Sequence, residues 1–227
     1  MAYHVRAGAA LRVIGSRKQD TMNVTTFIIA VLLLELTPGP NMAYLATLAL
    51  SRGRTAGLVA TAGVAAGLAL HAIVAGLGAG ALIQQIPALY EVLRWLGVGY
   101  LLYLAWEGWQ DEKENSPERV HLLNEAGPLF MRGFLSNVFN PKSILFFVSV
   151  LPSFVGTTPN DPPIPIQMAV FGLLFVSIAT TVHATIVLMA AQLRLWLVEG
   201  RRQRTVRRVL SVVLALVAIW LAWSTHR

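Results

Sequence analysis

Thr37-Pro38-Gly39-Pro40-Asn41 interrupts an apolar run from Val24 to Leu50, and Asn140-Pro141-Lys142 interrupts a second run from Phe130 to Phe154. Proline has no backbone N–H, and its ring clashes with the carbonyl four residues back, so neither stretch can continue a regular helix. A bilayer core about 30 Å thick is crossed by roughly 20 apolar helical residues, and both runs are long enough. At 1.5 Å per residue, Val24 to Leu36 covers about 20 Å and Phe130 to Asn140 about 17 Å. Both breaks are therefore expected near mid-depth. One proline in a span reads as a kink. Two matched breaks point to an interior site, because backbone groups freed at membrane depth persist only where protein or a water-filled cavity covers them.

Composition supports a chain in lipid. Of 227 residues, 56% are hydrophobic and 13% charged, against roughly 45–50% and about 25% in soluble domains. Mean hydropathy is +0.61. So few charges cannot coat a water-facing globule of this size. There is no cysteine, which excludes disulfides, thiolate metal sites and thiol redox chemistry. Six candidate spans stand out: Val24–Leu50, Gly57–Ile86, Leu89–Trp109, Phe130–Phe154, Ile164–Leu193 and Val206–Trp223. In lipid all must be helices.

A net charge of +7 would suggest a nucleic-acid partner in a soluble protein. Here the basic residues lie between apolar runs, and no nucleic-acid partner is expected. Three loops on one face carry Arg52 and Arg54; Lys113, Arg119 and Arg132; and Arg194, Arg201, Arg202, Arg204, Arg207 and Arg208. The opposite loops, Pro87–Ala88 and Leu151–Pro163, carry no Lys or Arg. The positive-inside rule makes the basic loops cytoplasmic and both termini external. Residues 1–22, with Arg6, Arg12, Arg17 and Lys18, disagree with that orientation. Met22 immediately precedes the first run, and these residues are read as an N-terminal extension with translation starting at Met22. The run Arg201–Arg208 suits anionic lipid headgroups.

The expected fold class is therefore an all-α membrane protein: six transmembrane helices as two inverted three-helix repeats, each with a broken first helix. The repeats occupy 23–109 and 130–225, joined by a cytoplasmic linker, 110–129. Three spans per half force opposite orientations, and inverted repeats place their site where helices are interrupted near the midplane. His71-Ala72-Ile73-Val74 in span two and His183-Ala184-Thr185-Ile186 in span five add a second correspondence.

Four segments together resemble the LysE/RhtB amino-acid exporter family. They are Thr37-Pro38-Gly39-Pro40-Asn41, Ser51-Arg52-Gly53, Gly99-Tyr100-Leu101-Leu102-Tyr103-Leu104 and Asn137-Val138-Phe139-Asn140-Pro141-Lys142. The resemblance runs from Met22 to the C-terminus. It implies a secondary transporter of a bacterial inner membrane, not an enzyme, exporting amino acids or close derivatives. No cofactor is implied. An exporter of metal or other inorganic ions is the alternative, with a thin ligand set of two buried His and one Glu. A membrane-embedded enzyme would need a nucleophile with its base, or a metal cluster, and neither is visible.

Ionisable groups within spans are costly and usually face a cavity or a partner. Here they are Glu35, His71, Lys142 and His183. Glu35 either binds a substrate ammonium or takes up a proton, or else pairs with Lys142 to hold the halves together. Lys142 either draws a substrate carboxylate or snorkels to the boundary. Asn41 and Asn140 either cap half-helices or hydrogen-bond the substrate. His71 and His183 titrate near neutral pH and are relay candidates, or packing residues. The expected substrate site is Glu35, Pro38, Gly39, Pro40, Asn41, Asn140, Pro141 and Lys142, with Glu35, His71 and His183 for proton coupling and no metal ligands. Gly63, Gly67, His71 and Gly78 are expected on one face, letting a helix of the monomer, or a second copy in a homodimer, approach closely. Glu91 and Arg94 are spaced to pair.

Overall fold

The computed structural model describes residues 24–78, 86–110, 118–156, 159, 161–197 and 203–224; the 1–22 extension and the middle of the linker lie outside them. Among the described residues every regular element is helical. Helix α1 (Val24–Leu36) meets α2 (Pro40–Arg52) at 54° across the first break. Helix α3 is Arg54–Gly76, α4 Pro87–Gln110 and α5 Glu118–Val138. The second break bends α5 by 48° into α6 (Pro141–Phe154). Helices α7 (Ile164–Leu197) and α8 (Gln203–Ser224) complete the chain.

Both bends have the same local cause. Pro40 and Pro141 each occupy the first turn of a new helix, with Gly39 and Asn140 as their extended N-caps. A proline there loses nothing, since that N–H would have no helical partner. The turn from α2 into α3 rests on Gly53 at φ 86° and ψ 179°, a region open essentially to glycine. That explains a Gly after Ser51-Arg52.

By length and composition, α3 and α7 can each cross a membrane, and the two bent pairs add two more if each is one span. Helix α4 has 24 residues but carries Glu91, Arg94 and Glu107, and the apolar part of α8, Arg208–Trp223, is shorter. The surface is inverted relative to a soluble protein. Leu33, Leu36, Ile73, Leu173, Met189 and Trp223 are exposed, whereas Glu35, Asn41, Arg94, Asn137, Asn140 and His183 are buried. Only a lipid solvent makes that arrangement favourable.

Helix α3 packs on α5 and α7, α2 on α7, and α4 on α8. The α3–α5 contact is built from glycines: a Cβ on Gly63 would strike the Phe130 carbonyl, and one on Gly133 the Ala60 carbonyl. The expected close approach beside His71 is thus made by α5, within the monomer. Gly78 is the exception. Helix α3 ends at Gly76, and Gly78, at φ 81° with nothing within 4 Å of an added Cβ, turns the chain out of the helix. Residues 79–85 of the expected second span lie outside the described residues. Helix α5 begins at Glu118, inside the expected linker, and runs on through Pro128 into the apolar run.

Arg94, 1% exposed, pairs with Glu91 at 2.5 Å as the spacing predicts and donates to the Ala222 carbonyl at 2.6 Å, tying α4 to α8. Above the breaks, Phe27, Phe146, Phe147, Phe171 and Phe175 form one ring-to-ring cluster with centroids 4.3–5.9 Å apart, which fastens α1, α6 and α7. Phe146–Val150 is a π-turn, an irregularity common beside functional sites.

Candidate functional site

The two breaks face each other across one cleft. Its walls are Glu35, Gly39, Asn41, Met42, Asn140, Lys142, Ser143 and His183, and its volume is about 10 Å³, room for about one water molecule. Five of the eight residues expected to bind substrate, Glu35, Gly39, Asn41, Asn140 and Lys142, line it directly. Pro38, Pro40 and Pro141 shape the backbone that brings them there.

The centre is a network of side-chain amides and hydroxyls. Asn41 Nδ2 donates to Asn137 Oδ1 at 2.7 Å, Ser136 Oγ donates to Asn41 Oδ1 at 3.1 Å, and Ser143 Oγ donates to Asn137 Oδ1 at 3.0 Å. Asn137 is 0% exposed. The two asparagines at the breaks therefore differ in role. Asn140 caps α6, accepting from Lys142 N at 3.1 Å, while Asn41 makes no cap and bonds across the breaks. Asn137, Ser136 and Ser143 belong to the site and were not singled out from the sequence. Their signal is weak but present: polar residues one turn either side of a proline break, inside an apolar run.

Glu35 lies against His183, Oε2 to Nε2 at 3.2 Å, both nearly buried. Lys142 lines the same cleft but donates its Nζ to the Thr37 carbonyl at 2.8 Å. In an unbroken helix that carbonyl would accept from the backbone N–H four residues on; at the break it takes the ammonium instead. A cation at the C-terminal end of α1 is also where the helix dipole favours one. So the acid pairs with the histidine, and the Glu35–Lys142 bridge weighed from the sequence is not the one formed. Lys142 instead binds the backbone of the first break. It stays at the break, packed against Gly39, where an added Cβ would sit 3.3 Å from its Cδ.

The histidines are related crosswise. His71, in the first half, bonds the Val138 carbonyl of the second at 3.2 Å. His183, in the second half, meets Glu35 of the first. Each reaches the turn just ahead of the other half's break. The Nδ1 atoms of both are buried without a hydrogen-bond partner, as is Nδ2 of Asn137. A buried cleft with spare donors and acceptors, one acid and one lysine is equipped to hold a small polar guest.

The model of the LysE type translocator family matches residues 32–225. The chain belongs to that family. Among curated relatives of this LysE-type translocator, the homoserine/homoserine lactone efflux protein of Salmonella typhimurium is 24% identical over 88% of this chain and 96% of its own length. A membrane protein of Vibrio cholerae is 32% identical over 74% of this chain and 80% of its own. The leucine efflux protein of Salmonella choleraesuis is 30% identical over 60% of this chain and 65% of its own. No solved structure matches. The LysE-type translocator is thus a multi-pass membrane protein of a transport family, with both breaks inside the matched segment.

Proposed function

We propose that the chain exports an amino acid or close derivative from the cytoplasm by alternating access. In this reading six spans form two inverted repeats in a bacterial inner membrane, with the basic loops cytoplasmic and the termini outside. The observation that carries it is one cleft in which both breaks, Glu35, Lys142 and His183 meet. A zwitterion needs a cation for its carboxylate and an anion for its ammonium. Lys142 and the N-terminal ends of α2 and α6 supply the first, and Glu35 the second. Relatives named for homoserine and for leucine efflux support the substrate class.

On loading, Lys142 leaves the Thr37 carbonyl for the substrate carboxylate, and Glu35 exchanges His183 for the ammonium. A cavity of about 10 Å³ cannot hold an amino acid, so the halves must part around it. The phenylalanine cluster seals the end toward α1's N-terminus, and rocking opens that seal for release. Glu35, with His183 beside it, takes a proton from outside as the ammonium leaves and yields it to the cytoplasm when the next substrate arrives. His71, held by the Val138 carbonyl, serves as the secondary relay.

Purified protein in liposomes is expected to show counterflow of at least one of L-leucine, L-homoserine, L-threonine and L-lysine, accelerated by an imposed pH gradient. Counterflow indifferent to the gradient removes the proton step. Movement of divalent metal ions with no amino-acid counterflow removes the substrate class.

A further inference from the structure

A second cavity, about 50 Å³, lies beneath the first, lined by Tyr44, Thr47, Ser51, Arg52, Glu107 and Arg132 among others. Tyr44 stands one turn along α2 from Asn41, a rise of about 4.5 Å, so the two cavities are successive stations beside one helix. The second sits at the Arg52 end of α2, the face of the basic loops.

Two features of this cavity are unexplained by packing. Tyr44 is 5% exposed, and its hydroxyl has no hydrogen-bond partner. A buried hydroxyl left so costs free energy and calls for a reason. Beside it, Arg132 Nη2 and Glu107 Oε1 form an ion pair at 2.5 Å, with side chains 26% and 29% exposed. Both side chains are partly open to water, which can solvate each charge as the pair opens. The pair can therefore be traded for ligand contacts at small cost.

From this geometry we infer that the second cavity is a loading site for an α-amino acid zwitterion, with Arg132 taking the carboxylate, Glu107 the ammonium, and the Tyr44 hydroxyl donating to the carboxylate. The inference rests on the amino-acid export reading. Arg132 is on α5 and Glu107 on α4, so a zwitterion that replaces their mutual contact also loosens one helix from the other. Loading at the cytoplasmic face would then be coupled to the widening that the central cleft requires. The rival is purely structural: the pair clamps α4 to α5, and Tyr44 fills space.

The test uses inside-out membrane vesicles, whose outer face is the cytoplasmic one, and whichever of radiolabelled leucine, homoserine, threonine and lysine the unmodified protein accumulates. Tyr44→Phe should raise KM about tenfold, the worth of a hydrogen bond to a charged group, with the maximal rate within about twofold. Removing an unpartnered hydroxyl should not unfold the protein, so this variant stays informative if the charge variants misfold. Glu107→Arg combined with Arg132→Glu keeps a pair but reverses its polarity. Its KM should stay raised although the clamp is restored. An unchanged KM in Tyr44→Phe, or recovery of the original KM in the swapped protein, overturns the inference and leaves the export reading standing. Accumulation of none of the four by the unmodified protein removes the export reading, and the loading site with it.

Discussion

Asn137 carries more of the central network than either asparagine at the breaks. Its Oδ1 accepts from both Asn41 and Ser143, and Gly67 of α3 lies so close that a Cβ there would be 2.9 Å from Asn137 Cβ. Asn137→Ala leaves two buried donors without an acceptor, at about 1–3 kcal/mol each. We expect a clear fall in thermal stability in detergent and loss of transport; full stability would show that the network re-pairs. Glu35 tests a different function. Glu35→Gln keeps a polar group of the same shape beside His183 but cannot take up a proton. If Glu35 both holds the substrate ammonium and couples export to protons, this variant shows counterflow with a raised KM and loses stimulation by a pH gradient. Stimulation that survives assigns coupling elsewhere.

Among the helices, the glycine contact between α3 and α5 sets how closely the two halves meet. Gly63 has the Phe130 backbone where its Cβ would be, and backbone cannot swing aside as a side chain can. Gly63→Ala should therefore force the helices apart, with an overpacking cost of about 1–3 kcal/mol seen as a lower midpoint in tryptophan-fluorescence unfolding. Gly99 on α4 is exposed, with nothing within 4 Å of an added Cβ. Gly99→Ala should be neutral or stabilising by up to about 1 kcal/mol, from helix propensity alone. Equal effects at the two positions would mean that α3 and α5 are not in close contact. The breaks themselves were legible in the sequence, because proline's missing N–H is a local property that no neighbour can restore. The end of α3 was not: its apolar run continues past Gly76, and only the backbone turn at Gly78 ends the helix.

Across the chain as a unit, charge distribution makes a directional prediction. Pro159 and Thr205 lie beyond opposite ends of α7, at exposed positions, and the chain has no native cysteine to interfere. With the basic loops cytoplasmic, Pro159→Cys should react with a membrane-impermeant maleimide in intact cells. Thr205→Cys should react only after lysis. The reverse pattern would invert the orientation, and labelling of both in intact cells would mean that α7 does not cross.

What the chain determined by itself was set by short-range physics. Apolar length requires helices in lipid, prolines at each break stop those helices, loop arginines bias orientation, and small residues mark a face for close approach. The tertiary structure alone decided partnership: His183 rather than Lys142 for Glu35, the Thr37 carbonyl for Lys142, Asn137 at the hub, and a second cavity under Tyr44. Helical periodicity tells which way a side chain faces. It carries no information on which of several helices stands opposite, and buried polar groups take their function from that neighbour.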